Sequence, residues 1–315
     1  MPAGDVSLGL IGLGRWGRNI AGTIAALPGV RLAAAASGNP QAAGLVPPGC
    51  HIHADWRELV ARNDLQGVII ASPPALHAQM LLAAVEAGKA VFVEKPLVAS
   101  REEALGLAAR LGDRPIIALV DHIHLFHPAF QKLQQVASSL GPLRAIASAA
   151  GKPDGARKDA SLLWDWGPHD LAMCMALAPG LVRVTAAERL EKVQQGDLYR
   201  ETIGFSLALG EQAEGRVELS SLKPRHRWFA ATFDAGVLVY RDAGMGSLMR
   251  LSRGDDVQTQ GTPVPFDEEP PLRAAIARFA DAIRRGDHDR GSLELGLSVV
   301  NLIADIESRL ARTGH

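Results

Sequence analysis

The chain predicts an α/β protein of two domains: a doubly wound parallel sheet over residues 1–121, then an α/β domain with a mostly antiparallel sheet over 122–315. Three observations carry this. Short apolar runs alternate with helix-spaced segments through the first 120 residues, the rhythm of strand-helix-strand units. Beyond residue 121 the rhythm changes to β-like segments set close together and joined by short turns such as Leu209-Gly210-Glu211. At 315 residues the chain is also too long for one ordinary core.

Val6 to Ile11, Val30 to Ala36, Val68 to Ala71, Ala90 to Val93 and Ile116 to Val120 read as strands buried on both faces, because their apolar runs are continuous rather than alternating. Between them, Trp16 to Leu27, Pro74 to Ala87 and Arg101 to Leu111 carry helical spacing. In the second domain, Pro128 to Ser139 reads as a helix opened by proline, Leu143 to Ala150 as a strand, and Trp166 to Ala178 as a helix. Strands are expected at Val182 to Ala187, Thr202 to Leu209, Gly215 to Leu219, Phe229 to Phe233 and Val237 to Tyr240. Amphipathic helices over Leu272 to Arg285 and Leu293 to Leu310 close the chain and can pack back on the first domain.

Composition narrows the partners. Thirty-three basic residues against thirty-four acidic ones leave a formal charge of -1, which gives no electrostatic footprint for nucleic acid or an anionic membrane. No apolar run approaches the roughly 18 residues that span a bilayer, and no basic region precedes the first apolar stretch, so a cytoplasmic protein is expected. The two cysteines, Cys50 and Cys174, lie far apart and outside metal or redox spacings; Cys174 falls in an apolar helical pattern and is expected in the core. The expected ligand is a small molecule.

Gly12-Leu13-Gly14-Arg15-Trp16-Gly17 follows the first strand and opens the first helix, forming a G-x-G-x-x-G loop. Gly12 permits a tight turn, Gly14 lets backbone amides approach a pyrophosphate, and Gly17 lets helix and strand pack closely. The loop, Arg15 and Trp16 included, is therefore expected to bind a dinucleotide at the helix N-terminus. An NAD site would place a carboxylate about 20 residues further on. The chain has Ser37-Gly38-Asn39 there, which admits a 2′-phosphate and tips the expectation from NAD toward NADP, with Arg15 able to reach toward the adenosine end.

Glu94-Lys95-Pro96 closes an apolar strand, and in an open parallel sheet ligands bind outside the carboxyl ends of strands. A cation at Lys95 can polarise a carbonyl oxygen or stabilise an alkoxide. The stretch LLWDWGPHDLAM sets Asp165 and His169 four residues apart, on one face if a helix includes both. Pro168 belongs most easily in a first helical turn, which places Asp165 or Trp166 near the N-cap. Trp164 can stack on a sugar ring or fill the core; Asp170 is expected to face a helix start or a backbone donor. In Asp121-His122-Ile123-His124-Leu125-Phe126-His127, strand-like alternation would put His122 and His124 on one face with no third ligand, so no metal is expected and His124 is read as substrate-pocket lining. Lys152 and Arg157, on the segment leading to Trp164, read first as solvated loop charges and second as candidate binders of an anionic substrate group such as a nucleotide-sugar phosphate or carboxylate.

These motifs resemble the Gfo/Idh/MocA oxidoreductases, named for glucose-fructose oxidoreductase and inositol dehydrogenase. The resemblance runs through the glycine loop, Ala71-Ser72-Pro73-Pro74-Ala75-Leu76-His77, Glu94-Lys95-Pro96, the D-x-G-x-H of Asp165, Gly167 and His169, and Leu295 to Val300. It implies a Rossmann domain followed by a domain with a large open sheet, whose outer face makes the contacts of a homo-oligomer, dimer or tetramer. It implies NAD or NADP as cofactor and a carbohydrate-like substrate: a sugar, nucleotide sugar or cyclitol. By the same resemblance Lys95 matches the catalytic lysine, His169 the acid/base histidine and Asp165 its neighbouring carboxylate. Ser72, Pro73, Pro74, His77 and Glu94 match positions lining the cofactor. Two other activities fit the same framework, a redox-assisted glycosidase and a non-catalytic dinucleotide sensor.

Overall fold

The computed structural model describes residues 5–153, 161–178, 180–196, 198–242 and 246–312. Contacts divide the chain into two units, one of residues 1–123 with 271–300 and one of 124–270 with 301–315.

The first unit is built on a six-stranded parallel sheet in the order β3-β2-β1-β4-β5-β6. Its strands are β1 (Val6–Ile11), β2 (Val30–Ala36), β3 (His51–His53), β4 (Gly67–Ile70), β5 (Ala90–Glu94) and β6 (Ala118–Asp121). All residues of β1 and β4 are buried, as the unbroken apolar runs require of a sheet covered on both faces. Helices α1 (Arg15–Ala25), α2 (Trp56–Val60), α3 (His77–Glu86) and α4 (Arg101–Leu111) connect the strands, and the late helix α7 (Pro271–Arg285) joins them through Phe279, whose ring meets Phe92 of β5 edge-on at 5.7 Å. The chain order reverses between β1 and β4, which is where a doubly wound sheet opens a crevice at its strand C-termini.

The second unit holds an eight-stranded sheet. Its strands are β7 (Leu143–Gly151), β8 (Val182–Gln195), β9 (Leu198–Leu209), β10 (Ala213–Ser220), β11 (His226–Phe233), β12 (Gly236–Arg241), β13 (Ser247–Leu251) and β14 (Thr262–Pro263), in the order β14-β13-β12-β11-β7-β10-β9-β8. Each neighbouring pair in this order is antiparallel except β7 with β10. One face carries helix α5 (Pro128–Ala137), through Phe130 against Phe229, and helix α6 (Leu162–Leu177), through Asp170 against Ser148. The last helix, α8 (Gly291–Arg312), runs through the residues at which the two units divide. No helix among the described residues is long and apolar enough to cross a membrane.

Helix α6 departs from the expected start. Its N-cap is Ser161, whose hydroxyl accepts the Trp164 N–H at 3.3 Å, so the helix begins a full turn before Trp166 and Pro168 lies inside it. Proline there removes the bond to the Trp164 carbonyl and crowds the preceding residue. That residue is Gly167, which has no Cβ to clash, and a Cβ built on it would press Leu163 at 3.1 Å. Consequently Asp165 lies in the first turn and His169 one turn later on the same helix.

Candidate active site

In the first unit the glycine loop is locked by its own backbone. Gly12 has φ +98°, and a Cβ on it would meet the Ala71 carbonyl at 2.5 Å, so only glycine fits. The Gly12 amide bonds the Ala36 carbonyl and the Ala71 amide bonds that of Ile11, tying the ends of β1, β2 and β4 into one edge. Gly14 is the N-cap of α1, and a Cβ there would meet nothing within 4 Å. The positive end of α1 therefore has room beside Gly14 and no side-chain cap, an arrangement that fits a pyrophosphate. Arg15 and Trp16 start this helix and are exposed, whereas Gly17 is buried against the loop.

Ser37 follows β2 directly; its amide bonds the His53 carbonyl at 3.0 Å and its hydroxyl accepts the Asn39 amide at 3.1 Å. After β4, half-buried Ser72 contacts Met80 Sδ at 3.2 Å, with Pro73 exposed and Pro74 half-buried beside it. His77 is fully buried, with Nε2 at 2.9 Å from the Ser72 carbonyl and Nδ1 at 3.0 Å from the Pro96 carbonyl. Its ring ties the loop after β4 to the loop after β5, and burial lowers its pKa. His77 thus shapes the crevice edge between the two loops, its neutral ring donating to one of the two carbonyls.

Glu94 and Asp121 end their strands as register partners across the β5–β6 pair, and Lys95 follows Glu94 immediately. The Trp16 indole N–H donates to the Glu94 carboxylate. Asp121 is 1% exposed, and neither of its carboxylate oxygens meets a donor. Two ionised carboxylates cannot satisfy one another; one proton between them gives Asp121 its missing partner. Burial first, then the charge of Asp121, raises the Glu94 pKa well above the usual carboxylate range, against a lowering by Lys95. Burial lifts Asp121 to about 6, against lowering by Glu94, Lys95 and Trp16. His122, also buried and with both ring nitrogens lacking a hydrogen bond, is held down at about 3 by burial and by the Lys95 charge, hence neutral.

This pair makes stability depend on pH. A carboxyl whose folded pKa exceeds its unfolded value of 3.8 contributes stability below that value, and the contribution is lost as pH rises through about 6. Asp121→Asn, which cannot ionise, is therefore expected to gain melting temperature relative to the parent between pH 5 and pH 8. Thermal melts at the two pH values check this, and an equal difference at both contradicts it.

In the second unit the structure brings Asp165, His169, His124 and Trp164 onto or against α6. The ring of His169 meets that of His124 edge-to-face, with centroids 4.9 Å apart and planes at 87°. His124 Nδ1 lies 3.0 Å from the Tyr240 hydroxyl. The Trp164 indole N–H donates to Glu307 at 3.1 Å, and Lys152 is half-buried just after β7. Arg157 lies outside the described residues.

Two expectations are corrected. Asp170 does not face a helix start or a backbone donor: it is fully buried and accepts from the Ser148 hydroxyl and from Arg227 Nη1 at 2.9 Å. His122 and His124 do not share a strand face, because β6 stops at Asp121 and residues 123–126 form a 3-10 turn. His127 caps α5 by accepting the Ala129 amide on Nδ1. No group of three or more His, Cys, Asp or Glu side chains able to hold a metal ion occurs among the described residues.

Residues 6–122 match the model of an oxidoreductase family with an NAD-binding Rossmann fold. The chain is 37% identical to an oxidoreductase from Magnetospirillum magnetotacticum MS-1 whose crystal structure it resembles with a TM-score of 0.86, over 95% of this chain and 98% of that one. It is 27% identical over 262 residues to dTDP-3,4-didehydro-2,6-dideoxy-alpha-D-glucose 3-reductase of Streptomyces violaceoruber, covering 77% of this chain and 74% of the relative. It is 31% identical over 177 residues to inositol 2-dehydrogenase 2 of Saccharopolyspora erythraea, covering 53% of this chain and 52% of that enzyme.

Proposed function

The chain belongs to the Gfo/Idh/MocA family of NAD(P)-dependent oxidoreductases, and we propose that it oxidises or reduces a hydroxyl or keto carbon of a sugar, nucleotide sugar or cyclitol. The substrate class rests on the two relatives named for nucleotide-sugar reduction and inositol oxidation. The observation that carries the reading is the end of β5, where Lys95 follows the half-buried Glu94 and its register partner, the buried Asp121, at the strand edge on which this fold binds ligands.

Gly12, Gly14 and Gly17 with the first amides of α1 would hold the cofactor pyrophosphate, and the loops at Ser72 to Pro74 and at Glu94 would line the rest. When bound, the nicotinamide supplies hydride exchange. Lys95 directs its ammonium to the reacting oxygen and stabilises negative charge developing there. His169 gives or takes the proton at that oxygen, a task suited to an imidazole whose ordinary pKa is roughly 6.5. Asp165, one helical turn before it, orients the imidazole. Trp164, Lys152 and His124 are assigned to the substrate side. The outer face of the eight-stranded sheet, where Trp228, Glu188, Arg216 and Glu218 surround a hollow of about 340 Å³, is proposed as the contact of a dimer or tetramer.

A panel of sugars, cyclitols and keto-sugars scanned for NAD(P)H absorbance tests the reaction class. Glycoside cleavage without net absorbance change would replace it by redox-assisted hydrolysis, and silence over the panel with tight cofactor binding would favour a sensor. The absence of a carboxylate at Ser37 supports NADP. Ser37→Asp is expected to shift the ratio of NAD to NADP affinity at least about tenfold toward NAD by repelling a 2′-phosphate, as measured by fluorescence titration of both cofactors. An unchanged ratio would place discrimination elsewhere.

A further inference from the structure

Tyr240 is fully buried in β12, yet its hydroxyl is not spent on the backbone: it lies 3.0 Å from Nδ1 of His124. The same imidazole meets His169 edge-to-face at 4.9 Å. A neutral imidazole has one donor and one acceptor nitrogen, and which is which follows from its fixed partner. We propose that Tyr240 and His124 are positioning residues for His169: the Tyr240 hydroxyl donates to His124 Nδ1, confines that ring's proton to Nε2, and keeps His124 neutral beside the imidazole that titrates. The inference rests on His169 being the proton-exchanging group of the proposed reaction.

The phenol can serve as a fixed donor because it keeps its proton. Burial raises its pKa far above the phenol range, Asp242 and Asp170 add to this, and Arg227 opposes them. His127, tilted against the Tyr240 ring at 5.0 Å, offers no competing acceptor, since its Nδ1 already caps α5. A second proton on His124 would point from Nδ1 at the hydroxyl and force it to turn away, leaving its hydrogen unsatisfied in a buried site. His124 therefore resists protonation, and His169 takes up charge without an imidazolium neighbour. Ionisable groups facing the dyad among the described residues include His169 by ring contact with His124, His127 against the Tyr240 ring, and Asp242 with the Asp170–Arg227 ion pair, whose charges act on the Tyr240 phenol. Of these, His169 is the one whose ring meets His124 at 4.9 Å.

Tyr240→Phe preserves the ring and removes the donor. With His124 freed to bind a proton, like-charge repulsion should lower the pKa of His169 by on the order of one pH unit. Both the ionisation in the kcat/KM profile and the His169 titration followed by ¹⁵N NMR on ¹⁵N-histidine-labelled full-length protein should move together. The parent spectrum should show His124 as the Nε2–H tautomer with Nδ1 as acceptor, a signature lost in Tyr240→Phe. His124→Gln removes the competing imidazole, so His169 should not fall in that variant. Equal movement in both variants, movement in neither, or the opposite tautomer in the parent would overturn the inference. If His169→Ala retains turnover, the functional reading fails instead, while the tautomer measurement still decides whether the dyad is as stated.

Discussion

Lys95→Ala is expected to lower kcat roughly 10²–10³-fold, the loss seen when one fixed donor to a developing oxyanion is removed. Dissociation constants for NAD and NADP should stay within a few-fold, because the pyrophosphate would be held by the backbone of the loop of Gly12, Gly14 and Gly17 at the start of α1, a different segment from the end of β5. His169→Ala should cost about 10²–10⁴-fold by a different route, the loss of a positioned proton donor and acceptor. Lys95→Arg should recover little, since a planar guanidinium cannot reproduce a compact ammonium at the end of β5. Single-turnover rates beside cofactor titrations separate the two requirements. Near-parental turnover in both alanine variants would remove the assigned chemistry from these residues.

The sheet of the first unit was legible because parallel strands buried on both faces write themselves as continuous apolar runs, as Val6–Ile11 and Val30–Ala36 do. β3 was not, because His51–His53 is a three-residue, largely exposed edge strand with histidines at both ends; β14 is a two-residue edge strand, and β13 beside it is five residues long and interrupted by Arg250. Pro168 misdirected the start of α6, since a proline normally marks a first turn, and the signals that countermand it are local: Ser161 as cap and Gly167 ahead of the ring. Lys95 and Glu94 stood out as charges closing an apolar strand. Their partner Asp121 closes the next strand in the same way, but its pairing with Glu94 depends on sheet register, which sequence spacing does not express. Tyr240 looked like one more apolar β residue because its partner His124 lies 116 positions away.

Asp170→Ala is expected to destabilise the second unit by about 3–5 kcal/mol, the cost of leaving one member of a buried ion pair without the other. The Asp170 carboxylate is fully buried between Ser148 of β7 and Arg227 of β11, and the Arg227 side chain is only 12% exposed. Without the carboxylate, Ser148 still has the Trp228 carbonyl at 3.1 Å as an acceptor, so the penalty falls on the guanidinium. This order of costs sets a second expectation. Asp170→Leu combined with Arg227→Met should be markedly less destabilised than Asp170→Ala, because an apolar pair removes the stranded charge. Urea unfolding of the full chain, followed by circular dichroism, reads both; a double variant no better than the single one would mean the pair does more than neutralise itself. It has a candidate for such a role, since Asp170 follows His169 directly on α6 and fixes that turn to the sheet. In that case the double variant should fold yet turn over slowly, with the His169 ionisation displaced from its parental pH.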